Sequence, residues 1–291
     1  MNKFFLRVLN KFNLLHKVNV VGKIILNNKQ FKIPVLGKTG FLNMWMTEPW
    51  MIKLLEIVVP LSPGIFVDVG VNSGQTLLKL KSVSGQTEYI GFEPNPSCIF
   101  YVNELVRING FKNVSLLPVG ISTETQLGKL FFFDESAMDS SASIVADFRP
   151  GQKIEKAEYI PVFSIVAIKQ KMDIGKIGII KIDVEGGELE VLSDLETDII
   201  ANQPILLIEI LPVYKEDNIK RLQRQNGIEA LFLKWDYTVY RVIKQHEQLM
   251  DIVEITGIGI HTDLNCCEYA VVPRRLKEDF QKSISGNLAK V

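Results

Sequence analysis

Four acidic residues stand where apolar runs give way to small or turn-forming residues: Asp68, Glu93, Asp183 and Glu209. The first lies in Phe66-Val67-Asp68-Val69-Gly70-Val71-Asn72-Ser73-Gly74-Gln75, a buried strand that runs into a glycine-bearing turn and then a helix from Thr76. Gly70 and Gly74 let backbone come close to a ligand, and Asn72 tolerates positive φ. The helix start beyond the turn aims free N–H groups at whatever lies there. A second short strand, Tyr89-Ile90-Gly91-Phe92, ends on Glu93, nineteen residues past Gly74. A carboxylate at that place can accept both hydroxyl protons of a ribose.

The spacing narrows the nucleoside. A dinucleotide site reads G-x-G-x-x-G, its middle glycine admitting a pyrophosphate. Here that position is Asn72, and Asp68 precedes it. A carboxylate beside the ligand repels a diphosphate and suits a molecule with an ammonium and a sulfonium, S-adenosylmethionine. The plainer alternative is a strand–turn–helix that holds nothing; Glu93 weighs against it.

These residues need a scaffold, and the pattern supplies one. Strands are predicted near 65–69, 89–92, 114–119, 177–182 and 204–210, and helices near 75–82, 97–109, 187–193 and 215–225. Such alternation implies a parallel sheet covered on both faces. In an open sheet of that kind ligands lie beyond the carboxyl ends of the strands. Those ends carry Asp68 with the 70–75 turn, Glu93, Val119-Gly120, Asp183 with Glu185, and Glu209. Converging carboxylates repel one another unless a cation offsets them, as a cationic cofactor would.

Outside this unit, apolar residues at Phe4, Phe5, Val8, Leu9, Phe12 and Leu15 mark one face of a helix over 3–16, with Lys3, Arg7 and Lys11 as a stripe. That helix either packs on the domain or lies on an anionic membrane surface. Residues 18–36 alternate around Asn27-Asn28-Lys29 as a β-hairpin. A helix over 48–59 comes next, with Thr47 as its N-cap and Pro49 early in its first turn. Leu130-Phe131-Phe132-Phe133 and Tyr159 to Phe163 are expected to pair as an inserted hairpin. The serine-rich stretch Ser136 to Ser143 and Arg149-Pro150-Gly151 between them form a binding loop or an idle tip. Residues 228–242 and 254–272 are read as late antiparallel strands, and 277–291 as a frayed polar end. The division is an extension over 1–60, one domain over 61–275 and a tail over 276–291.

Composition excludes several classes. With 291 residues, 47% of them apolar, the chain can bury one large α/β core. Charge is balanced overall but not locally: residues 1–47 hold eight Lys or Arg and no Asp or Glu, leaving the remainder net negative by eight. No uncharged apolar run approaches the ~20 residues of a spanning helix. Cys98, Cys266 and Cys267 offer neither a disulfide framework nor zinc spacing, which fits a reduced, cytoplasmic setting. Nucleic acid is not an expected partner, because the basic segment shows no aromatic platform and the rest is acidic.

Three blocks taken together, D-V-G-V-N-S-G-Q at 68–75, G-F-E-P-N-P at 91–96 and K-I-D-V-E-G-G-E-L-E-V-L at 181–192, resemble the FkbM family of methyltransferases, in order, over about 64–212. The resemblance implies a doubly wound class I methyltransferase sheet, Rossmann-like, with S-adenosylmethionine as cofactor. It implies methylation of oxygen, often on sugars of surface glycans or glycolipid precursors. Carried over, Asp68, Gly70, Asn72, Gly74 and Gln75 would line the methionine end, Glu93 would hold the ribose, and Asn95 would help place the adenosine. Gly120 lies at the next strand end, and Asp183 would sit near the transferred methyl. Val162-Phe163-Ser164-Ile165 departs from the family's Leu-Asp pair, so no acid is expected there.

A base near the acceptor hydroxyl is worth ~10²–10⁴-fold in rate. Asp183 is the first candidate, with cofactor positioning as its alternative role. Glu185 is either a base or a helix N-terminal acid favoured by the dipole. Glu209 either orients substrate or caps a turn. His261, read on a late strand, is a weaker candidate, and no spacing demands a metal. Two rival classes stay open: an NAD-dependent oxidoreductase and a non-catalytic membrane-surface protein. If the N-terminal helix docks, the location becomes peripheral at the inner face of the membrane.

Overall fold

A computed structural model describes residues 3–145 and 151–288. Arg149-Pro150 of the expected loop and the last three residues of the expected tail lie outside the described residues.

The chain opens with helix α1 (Lys3–Lys11), shorter than the predicted 3–16. Asn13 takes a left-handed φ of 52° and ends it, and a single 3₁₀ turn, Leu15–Lys17, comes after. Strands β1 (Asn19–Leu26) and β2 (Lys29–Leu36) form the expected hairpin. Asn27 and Asn28 both have positive φ, as a two-residue turn of matching twist requires. Helix α2 (Pro49–Leu61) begins one residue later than read: its N-cap is Glu48, in the left-handed region, not Thr47.

The main unit runs β3 (Ile65–Val69), α3 (Gln75–Val83), β4 (Tyr89–Phe92), α4 (Pro96–Asn109) and β5 (Val114–Leu117). The short β6 (Gly120–Ile121) then leads into β7 (Gln126–Phe132) and β8 (Lys156–Phe163). The last two pair antiparallel as expected, and β6 joins them in a separate three-stranded sheet. Next come α5 (Ile165–Lys169), β9 (Ile177–Ile182), α6 (Glu188–Asp194), α7 (Glu196–Asn202), β10 (Ile205–Glu209) and α8 (Ile219–Lys234). Ser164, where no acid was expected, caps α5 by accepting the Ala167 N–H.

The end of the chain differs most from its sequence reading. Residues 228–234 belong to α8, because Ile228 and Phe232 are buried one turn apart while Leu233 is exposed. Strands β11 (Tyr237–Gln245), β12 (Gln248–Ile255) and β13 (Glu268–Pro273) finish the sheet. The segment holding His261 is irregular rather than a strand, with Gly259 at φ 70°. Residues 277–288 form helix α9 and do not fray: Phe280 is fully buried, edge-on to Tyr240 at 4.8 Å.

Eight strands make the central sheet in the order β12-β11-β13-β10-β9-β3-β4-β5. Those from β10 to β5 are parallel, and β13 is antiparallel to both of its neighbours. The chain moves outward from β3 to β5 and then returns to β9 on the other side, so the topological switch lies between β3 and β9. Alternate residues feed two apolar layers. Val67 and Val69 pack with Ile180, Leu192 and Phe232, while Phe66 packs with Leu55, Leu77, Ile179 and Phe280. The hairpin adds a third cluster, closing Ile33 and Val35 over Leu78 and Leu105. No described helix is long and apolar enough to cross a membrane.

Candidate active site

A cavity of about 860 Å³ opens beyond the carboxyl ends of the parallel strands, over the switch point. Its walls include Gly70, Asn72, Gln75, Glu93, Asn95, Gly120, Asp183, Glu185 and Glu209, so nine residues singled out in the sequence are brought together. Asp68 and Gly74 are not in the wall. Asp68 shares its sheet face with Phe66 and therefore points into the layer under α2 and α3, at 0% exposure. The Gly74 Cα faces Leu105 and Val102, so its small size serves the packing of α3 on α4. His261 is also absent from the wall; its Nε2 lies 3.4 Å from the Tyr269 hydroxyl.

Local sequence explains how the turn is held. Gly70 has φ 95°, and a Cβ there would collide with the Asp183 carbonyl oxygen. Asn72 takes φ 47°, as its short polar side chain permits. Its N–H donates to Glu93 Oε2 at 2.7 Å, and the Asn95 N–H donates to Glu93 Oε1 at 2.8 Å. Asn95 in turn caps α4 by accepting the Ser97 N–H. Burial pushes the Glu93 carboxyl up to about 7, against the two backbone hydrogen bonds that favour its ionised form.

The insertion closes one side. Asp139 accepts hydrogen bonds from Phe133 N–H at 2.6 Å and from both the N–H and hydroxyl of Ser141, which folds residues 133–141 into a compact loop. Asn95 Nδ2 donates to the Ala137 carbonyl at 2.9 Å, and the Ser143 hydroxyl donates to the Glu185 carbonyl at 2.6 Å. These bonds hold Ala137, Met138 and Ser140 in the wall, beside Gly120 and Cys98.

Opposite this loop the cavity is strongly charged. Asp68 and Lys181 are register partners on β3 and β9, and Lys181 Nζ lies 2.9 Å from Asp183 and 4.0 Å from Asp68. Burial works against the Lys181 ammonium, but the Asp183 and Asp68 carboxylates outweigh it and hold its pKa above the ordinary lysine value. For Asp68 burial dominates and lifts the carboxyl to about 6, while the Tyr89 hydroxyl donates to it at 2.6 Å. Asp183 and Glu209 are hydrogen-bonded to each other. Burial and the adjacent Asp183 and Glu268 charges raise Glu209 well above the carboxylate range, while burial of Asp183 is overcome by Lys181, which lowers it. The two acids titrate as a pair, in which Lys181 favours the ionised form of Asp183. Among the described residues no cluster of three or more acids, histidines and cysteines is disposed to hold a metal.

Several wall residues escaped sequence reasoning: Lys181, Lys244, Glu268, Glu48 and Trp50. Lys181 had a visible signal, a lysine inside the aliphatic run of a central strand. Lys244 and Glu268 could have been reached by continuing the period-two pattern from Val242 and Ala270. Glu48, which pairs with the buried Lys79, and Trp50 belong to the N-terminal extension and carry no local signal.

The family model described as "Methyltransferase FkbM domain" matches residues 68–254. The crystal structure of methyltransferase FkbM from Methylobacillus flagellatus is similar at 18% identity over 72% of this chain and 43% of that one, with a TM-score of 0.45. This chain thus spans less than half the length of that protein. The O-methyltransferase TomG of Streptomyces achromogenes, solved with S-adenosylmethionine, is similar at 9% identity over 76% and 79% of the two chains, TM-score 0.41. The methyltransferase PaMTH1 of Podospora anserina, solved with S-adenosylhomocysteine, stands at 14% identity over 67% and 72%, TM-score 0.37. No curated protein sequence matches.

Lys181 neutralises the buried Asp68 and the cavity-lining Asp183 at once, so removing it leaves Asp68 as a stranded interior charge. Lys181→Met is expected to destabilise the fold by about 3–5 kcal/mol, and Asp68→Asn in that background to recover part of the loss. Urea unfolding of the three proteins checks this; an unchanged midpoint for Lys181→Met would show that the triad is not structural.

Proposed function

The chain belongs to the FkbM methyltransferase family, and from that premise we propose that it transfers a methyl group to a hydroxyl of a sugar in a surface glycan or glycolipid precursor. S-adenosylmethionine is the cofactor. The cavity fits it: its volume lies in the range of small-molecule sites, and its wall combines the Gly70–Asn72 turn with a buried Glu93. Each Glu93 oxygen accepts one backbone N–H. A carboxylate offers about four acceptor sites, so two are left for ribose hydroxyls. Gln75 and Asn95 are assigned to cofactor binding with Gly70, Asn72, Glu93 and Gly120. Asp68 acts through Lys181 rather than by contact, and Gly74 through packing. Membership in a methyltransferase family sets aside the NAD-dependent alternative.

The observation that carries oxygen as the acceptor is the Asp183–Glu209 pair. When bound, the cofactor supplies an electrophilic methyl on its sulfonium. The protein must hold an acceptor hydroxyl in line and accept its proton. Asp183, half-exposed to the cavity and kept anionic by Lys181, is the base in this reading. Glu209 donates its hydrogen bond to Asp183 and fixes the orientation of that carboxylate. Glu185 has a left-handed φ of 51°, and its carbonyl is tied to Ser143; we assign it to shaping the wall rather than to proton transfer. The insertion loop excludes water from the same space.

A second reading, peripheral membrane contact, rests on α1 and the turn beyond it. Phe5 is 49% and Phe12 67% exposed, beside Lys3, Arg7 and Lys11, in a segment without acids. Apolar groups with flanking cations suit an anionic lipid surface, and a lipid-linked acceptor would reward such docking. A location at the inner face of the membrane is part of this reading.

Four measurements test these proposals. Glu93 must be ionised to accept ribose protons, and its pKa stands near 7. Affinity for S-adenosylhomocysteine, measured by calorimetry, should therefore be full above pH 7 and weaken as pH falls through it; a flat profile would remove Glu93 from the site. A screen of nucleotide sugars and lipid-linked glycans with radiolabelled methyl donor should find a methylated acceptor. With that acceptor Asp183→Asn should lower turnover by ~10²-fold or more while cofactor affinity holds; equal losses in both would make Asp183 a positioning residue. The full chain should sediment with phosphatidylglycerol vesicles, and Phe5→Ser with Phe12→Ser should weaken that; the same behaviour with phosphatidylcholine alone, or no sedimentation, would reject the membrane reading.

A further inference from the structure

The cavity extends well past the residues assigned to the cofactor, and its far part has a construction of its own. Four neighbouring strands end there in the order β9, β10, β13 and β11. They deliver Asp183, Glu209, Glu268 and Lys244 to the cavity wall. All four lie on one face of the sheet. Ile179, Leu207, Ala270 and Val242, which belong to the apolar layer under α2, precede or follow them at even spacing on the same strands. Register brings them side by side: Glu209 is the direct partner of Glu268, and Val242, two residues before Lys244, is the partner of Glu268 from the other side. The β11–β12 register shifts at Ile243/Lys244, the extra residue falling on β12 between Asp251 and Leu249. Lys244 Nζ reaches Glu268 at 3.3 Å.

Against the Lys244 end of this row stands the start of α2. The Lys244 ammonium lies 4.4 Å from the centre of the Trp50 ring, and the Trp50 backbone N–H donates to the Glu247 carbonyl, fixing this residue to the β11–β12 turn. Met46 and Leu42 continue the wall from the same extension.

We infer that this part of the cavity is the acceptor subsite, that its ligand is an uncharged polyhydroxylated ring, and that Glu268, Lys244 and Trp50 position it. The inference rests on the methyltransferase reading above and goes further in naming the side chains and the charge of the ring. Its physical basis is charge balance. Lys181 is already paired with Asp183 and Lys244 with Glu268. The row therefore has no uncommitted cation to bind a phosphate or a carboxylate group. What it does offer is a line of carboxyl oxygens and an ammonium, all able to hydrogen-bond hydroxyls. The Trp50 indole is buried and lies against the Lys244 ammonium, so it holds that donor in place. Any phosphate of a sugar nucleotide or lipid carrier would then lie outside this subsite, toward the cavity mouth where Lys38 stands.

Glu268, Lys244 and Trp50 are positioning residues in this account, so their effect falls on acceptor binding. Saturation-transfer NMR on the full chain with saturating S-adenosylhomocysteine provides the test, using methyl α-mannopyranoside, methyl β-galactopyranoside, glucuronate and glucosamine as probes. Neutral glycosides should give signal and the charged sugars should neither bind nor compete. Glu268→Gln, Lys244→Met and Trp50→Leu should each weaken glycoside affinity about tenfold, the loss of one charge-assisted bond that the residue makes or, for Trp50, holds in place, with affinity for S-adenosylhomocysteine unchanged. Preference for glucuronate or glucosamine, no signal from either glycoside, or glycoside binding indifferent to all three substitutions would overturn the subsite while leaving the methyltransferase reading intact. Failure of the wild-type chain to bind S-adenosylhomocysteine would overturn both.

Discussion

The Lys181 ammonium, set between Asp68 and Asp183, is the interaction on which the rest of the site depends. A parallel sheet with acids at successive strand ends faces mutual repulsion, and burial worsens it because the interior screens charge poorly. One lysine from the central strand β9 meets both carboxylates from below. That leaves Asp183 ionised at the cavity surface and lets Asp68, held also by Tyr89, remain fully enclosed. The cation that sequence reasoning sought in the ligand is in part supplied by the protein.

Around this anchor the site is assembled from distant parts of the chain. The Gly70–Asn72 turn and Glu93 form one end, tied by two backbone hydrogen bonds. The inserted loop, organised on Asp139, closes a second side through Asn95 and Ser143. The N-terminal extension closes a third: Asn43 donates to the Ser73 carbonyl at 2.9 Å, and Glu48 reaches the buried Lys79 on α3. One end of the cavity is thus built from local motifs and the opposite end only by long-range packing, so the two can vary independently on one scaffold.

Legibility in the sequence followed the range of the forces involved. The five parallel strands, their crossover helices and both hairpins were readable because aliphatic runs, glycine turns and Asn-Asn turns act over a few residues. The late region is harder: its pattern predicts strand over 228–242, though burial of Ile228 and Phe232 on one helical face keeps 228–234 in α8. The polar composition of 277–288 suggested fraying, yet Phe280 alone anchors α9 against Tyr240. Asp68 was taken for a ligand contact because it precedes the turn; its place one step back on the alternating strand turns it inward instead.

By itself the sequence determined the turn at Gly70–Asn72 and the acid that ties it, since strand, turn, helix and acid lie within 26 residues, Asp68 to Glu93. The pairing of Asp183 with Glu209, the neutralisation by Lys181, and the row through Glu268 to Lys244 under Trp50 were decided only by tertiary structure. Those contacts depend on strand order and register, and the free energy that sets them is the burial of two whole apolar layers, which no window of neighbouring residues contains.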